Sequence, residues 1–88
     1  MKKTQTFLAV LEDENKKHLT FERFAYKKIE TVLRSLAKLY STSSSWHFLY
    51  KAEIEKAAHL VVYATPDPET RIERLRIDKP ALLSLISH

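Results

Sequence analysis

The stretch His18-Leu19-Thr20-Phe21-Glu22-Arg23-Phe24-Ala25-Tyr26 decides the fold, because it carries two periodicities at once. Leu19, Phe21 and Ala25 recur at even spacing, as in a strand. Phe21, Ala25, Ile29 and Val32 also fit helical spacing. A short polar turn, Asp13-Glu14-Asn15-Lys16, separates this stretch from an earlier apolar run, and a hairpin is the simpler connection between two such runs. The strand reading is therefore preferred, with the helix kept as its alternative.

The earlier run, Thr4 to Glu12, places Phe7, Ala9 and Leu11 on one side and Leu8 and Val10 on the other. That suits a strand covered on both faces. Downstream, Lys27 to about Tyr40 carries the strongest helical pattern, with Ile29, Val32, Leu33, Leu36, Leu39 and Tyr40 on one arc. The polar run Ser41-Thr42-Ser43-Ser44-Ser45 ends it as a surface loop. Trp46, Leu49, Tyr50, Ile54 and Ala57 predict a second helix over Trp46 to Ala58, with a serine before Trp46 as its cap.

His59 to Thr65 holds the β-branched and aromatic run of a central strand. Pro66-Asp67-Pro68-Glu69 makes the next turn, and Thr70 to Ile77 the strand that follows. Asp78-Lys79-Pro80 is a helix start, an acidic cap with proline in the first turn, and Ala81 to Ile86 form a short apolar helix. The expected fold is α+β: a mainly antiparallel sheet of about four strands in two hairpins, with one long amphipathic helix and one or two short helices packed on one face. The strand order stays open at this level, and the 88 residues are expected to form a single small globular domain.

Composition excludes several chemistries. The chain contains no glycine, where average usage of about 7% would give roughly six. Phosphate-cradling loops, dinucleotide fingerprints, the nucleophile elbow, the KH clamp and the RRM signature strand all depend on glycine. With no cysteine there is no disulfide framework or thiolate site, which fits a reducing compartment. Met1-Lys2-Lys3 resembles the start of a signal peptide, but the apolar run after it is short and ends in Glu12-Asp13-Glu14. No stretch approaches the roughly 20 apolar residues of a membrane span, so a cytoplasmic location is expected.

His18, His47, His59 and His88 show no metal or catalytic motif, and the expectation is a protein that is not an enzyme and uses no cofactor or metal. The run Glu12-Asp13-Glu14-Asn15 lacks the spacing of a calcium loop and reads as a solvated turn. Trp46, Phe48 and Tyr50, beside His47 and Lys51, would suit base stacking, although core packing is the commoner role for such rings. Phe21, Phe24 and Tyr26 carry the same ambiguity.

The strongest positive feature is basic. Net charge is +4 with a sequence pI near 9.4. Lys27, Arg34 and Lys38 line one ridge of the first helix with Lys28 beside it, and Arg71, Arg74, Arg76 and Lys79 cluster around the last strand. Facing one way, the two clusters would contact phosphates through side chains alone; facing apart, they are ordinary solvated surface. A small basic nucleic-acid-binding domain is accordingly the first expectation. The alternative is a protein-interaction or regulatory module, a homodimer among the options, with the apolar Leu82, Leu83, Leu85 and Ile86 of the terminal helix set against either a partner or the chain's own sheet.

Overall fold

The computed structural model describes residues 5–41, 45, 47–67 and 69–87. In chain order the elements are β1 (Gln5–Glu12), β2 (His18–Lys27), α1 (Ile29–Tyr40), α2 (His47–Lys56), β3 (His59–Asp67), β4 (Thr70–Asp78) and α3 (Lys79–Ile86). The fold is α+β, with one four-stranded antiparallel sheet in the order β2-β1-β3-β4 and three helices. Each hairpin is local in sequence, and β1 joins them by pairing with β3 from Phe7 opposite Ala64 to Glu12 opposite His59.

His18 to Lys27 is a strand, paired with β1 through Val10 opposite Phe21 and Leu8 opposite Arg23. The turn before it solves the absence of glycine with an aspartate. Asp13 Oδ1 accepts from the amides of Asn15 at 2.8 Å and Lys17 at 2.9 Å, and the Lys16 amide donates to the Asp13 carbonyl at 3.0 Å. Lys16 then takes φ of 64°, the left-handed region where glycine is normally preferred.

One side of the sheet is covered by helices. Phe7, Ala9 and Leu11 of β1 and Leu60, Val62 and Ala64 of β3 join Val32, Leu36 and Tyr40 of α1, Ile54 of α2, and Leu82 and Ile86 of α3 in one core. Fully burying each such large side chain contributes about 1.5–3 kcal/mol. Val10 and Val61 are just as buried but stand outside that cluster, on the opposite side of the sheet. The cover on both faces that the sequence of β1 predicts is complete only on the helix side; on the other, Val10 is buried and Leu8 half-buried.

Two helix expectations need correction. The first helix begins at Ile29 rather than Lys27, because β2 runs through Lys27 and Lys28 remains extended at φ −90°, ψ 155°. Nor does one long helix stand beside short ones: α1 has 12 residues, α2 has 10 and α3 has 8. The terminal helix starts as expected, with Asp78 Oδ1 accepting the Ala81 amide at 3.1 Å and Pro80 in its first turn. Ser45, the serine expected to cap the second helix, is an exposed turn residue two positions before its first residue, His47, and Trp46 between them lies outside the described residues.

Candidate functional site: the open face of the sheet

Strand alternation determines which side chains reach the face without helices. Once Leu8 and Val10 point there, so do their partners Arg23 and Phe21 on β2 and Tyr63 and Val61 on β3. On β4, a register shift between Val62 and Tyr63 sets Glu73 opposite Tyr63 and Arg76 opposite Val61, with Arg74 as the extra residue.

At the C-terminal end of β1, this face holds a buried carboxylate. Glu12 is 2% exposed, yet Arg76 Nη1 donates to its Oε1 at 2.9 Å, the Tyr63 hydroxyl donates to its Oε2 at 3.2 Å, and His18 Nε2 lies 3.5 Å from Oε2. Arg76 turns its other side to Glu73, through Nη2 at 2.9 Å and Nε at 3.3 Å. The guanidinium hydrogen bond holds the Glu73 carboxyl below its usual range. Burial, then the Glu12 charge and its hydrogen bond, push the Tyr63 hydroxyl up. A buried ion is tolerated only when its oxygens are satisfied, so this cluster is first of all structural, and it removes Arg76 from the free cations.

Beside it is a cleft of about 450 Å³, lined by Thr6 and Leu8 of β1, Arg23 of β2, Thr65, Pro66 and Asp67 of β3, and Arg71 of β4. The two arginines come from opposite edge strands and meet over the central pair. The Arg71 guanidinium also stands 6.0 Å from the centroid of Phe21, whose ring is 54% exposed and meets His18 edge-on at 5.4 Å. Asp67 is the acidic member of the lining, and its carboxylate is used in the turn, accepting the Glu69 amide at 2.9 Å. Hydrogen bonds from Thr70 and Glu69 hold its acidity above normal, its pKa lowered.

The basic residues expected from sequence are divided among different places. Arg34 and Lys38 are exposed on α1, with Lys28 exposed just before it, and the helix packs its other side on the core, whereas Arg71 and Arg76 belong to the opposite side of the sheet. The side chain of Lys27 lies outside the described residues. Arg74 is exposed at the register shift. Lys79 is not a free cation either: its Nζ donates to the carbonyls of Ile54 and Glu55 at 2.8 Å and of Ala57 at 3.0 Å, so it caps the end of α2. One merged patch does not form.

Of the two readings of the apolar terminal residues, docking on the chain itself accounts for three of the four. Leu82 is fully buried and Ile86 nearly so, while Leu85 packs partly buried against the same core. They dock on the chain's own helices and sheet; Leu83, at 45% exposure, is the one of the four that faces outward. On α2, Tyr50 stacks edge-on against Tyr40 at 5.0 Å, but Phe48 is 73% exposed. Core packing thus accounts for Tyr50 and not for Phe48.

Sequence reasoning missed Arg23, Thr6 and Thr65. Alternation held the signal for the first of these, since a strand at His18 to Lys27 necessarily places Phe21 and Arg23 on one face. Among the described residues, no group of three His, Asp or Glu side chains is arranged to hold a metal ion, and no helix is long and apolar enough to cross a membrane. Compared with known protein families, with characterised proteins and with solved structures, the chain matches none.

Proposed function

We propose that this chain is a non-enzymatic nucleic-acid-binding domain that works through the open face of its sheet, in the cytoplasm. The observation that carries the reading is the convergence of Arg23 and Arg71 on one cleft, with the exposed ring of Phe21 next to the second guanidinium. Guanidinium groups meet phosphate oxygens with paired donors, and aromatic rings on a sheet surface stack bases. Arg74 extends the positive charge along β4. Arg34 and Lys38 on α1, with Lys28 just before it, make a separate basic group, better suited to a solvated exterior because Glu30 is exposed among them.

Salt titration tests the reading. Log affinity for single-stranded RNA or DNA should fall with log salt, with a slope of about −0.7 per phosphate neutralised. The double variant R23A/R71A should flatten that slope, while R34A/K38A should leave it nearly unchanged. Undetectable binding at low salt overturns the reading, and flattening only in R34A/K38A moves the interface to the helix.

A second reading has its own observation. Phe48 and Leu49, adjacent on α2, are 73% and 50% exposed, which is the character of a contact surface for another protein. Sedimentation of the wild type beside F48S/L49S separates it, since a self-associating chain loses mass in the variant and a monomer is unchanged.

A further inference from the structure

We infer that the cleft between Arg23 and Arg71 is a nucleotide subsite for an unpaired strand, in which both guanidiniums hold one backbone phosphate and Phe21 stacks the adjoining base. The inference rests on the nucleic-acid reading above and narrows it to single strands.

The charge on this face is unevenly spent. Arg76 has both sides of its guanidinium occupied by carboxylates, whereas among the described residues neither Arg23 nor Arg71 has an ion pair. Two like charges from β2 and β4 therefore line one concavity against a single carboxylate, Asp67, which is already bound to its own turn. An anion entering the cleft relieves that repulsion and meets donors from both walls. The Thr65 hydroxyl donates to the Thr6 carbonyl at 3.2 Å, tying β1 to β3 at the cleft floor, so the site is braced before a ligand arrives.

Phe21 supplies the preference for an unpaired strand. Its ring is held edge-on by His18 and is more than half exposed, with Arg71 above it. A base enters such a position only when its own face is free, which a duplex does not offer in its interior. The cleft volume of about 450 Å³ lies within the range of small-ligand sites, and Leu8 provides an apolar wall for the sugar.

The test compares a short oligouridylate, a duplex of the same length and inorganic phosphate, using full-length protein and following amide shifts and anisotropy. The oligouridylate should bind at least about tenfold more tightly than the duplex. F21A should lose about tenfold for the single strand only, F21W should retain binding, and inorganic phosphate should shift the amides around Arg23 and Arg71 in wild type and not in R23A/R71A. Because Phe21 is exposed, F21A is expected to stay folded, and circular dichroism verifies it. Equal binding of duplex and single strand, or full affinity in F21A, overturns the subsite while leaving nucleic-acid binding intact. No binding of any nucleic acid overturns both.

Discussion

Glu12 is the residue on which the open face depends. Its carboxylate is almost completely enclosed, and its three partners come from three other strands: His18 from β2, Tyr63 from β3 and Arg76 from β4. One side chain thereby ties all four strands together across the face that no helix covers. Replacing it with alanine leaves a tyrosine hydroxyl without its acceptor and half of a guanidinium unpaired. Removing one partner of a fully buried pair costs about 3–5 kcal/mol, and Arg76 keeps Glu73 and some exposure, so E12A is expected to lose about 2–3 kcal/mol in urea denaturation. A loss under about 0.5 kcal/mol would show the cluster to be incidental.

At the scale of elements, α3 distinguishes a helix that completes its own core from one waiting for a partner. Leu82 is fully enclosed and Leu83 is 45% exposed, one residue apart. L82A should cost about 2–5 kcal/mol and L83A less than about 0.5 kcal/mol, as thermal or urea unfolding would measure. If L83A proved the more damaging at high protein concentration, a second subunit would have to cover it. The same helix shows what was legible beforehand. Asp78, Lys79 and Pro80 mark its start through local chemistry, and both hairpins follow from alternation and turn residues. What pattern could not supply was the strand order, which depends on β1 meeting β3 across the chain, and the fates of Arg76 and Lys79. Both read as free cations in sequence, and both are spent on partners distant in the chain, Glu12 and the end of α2.

For the whole molecule, three tyrosines whose hydroxyls are pushed up, Tyr40, Tyr50 and Tyr63, contribute to the loss of stability in alkali, and the most deeply buried of them is Tyr40. Tyr40 is fully enclosed, with its hydroxyl 3.4 Å from Thr20 Oγ1. Burial is the main cause that raises its pKa well above the ordinary value of 10.0, opposed by the Thr20 hydrogen bond and assisted by Glu22, Tyr50 and Glu53. The folded state thus keeps a proton that the unfolded state releases. Its contribution is present in full below pH 10 and is lost as pH rises through the native value, at a slope approaching about 1.4 kcal/mol per pH unit. Y40F should flatten that decline above pH 10, and an identical alkaline limb in the variant would locate the loss elsewhere.

The pairing of β1 with β3 also sets the order in which the chain can fold. Each hairpin closes over a short turn, but Phe7 meets Ala64 only after both helices between them have been drawn in. The loop entropy of that closure is spent before its contacts return anything. The two hairpins are therefore the early, reversible pieces and the central ladder is the late, committing one. In kinetic terms, a substitution at the seam, such as Ala9 against Val62, should slow folding, as should one that weakens either hairpin, because both are in place when the ladder closes.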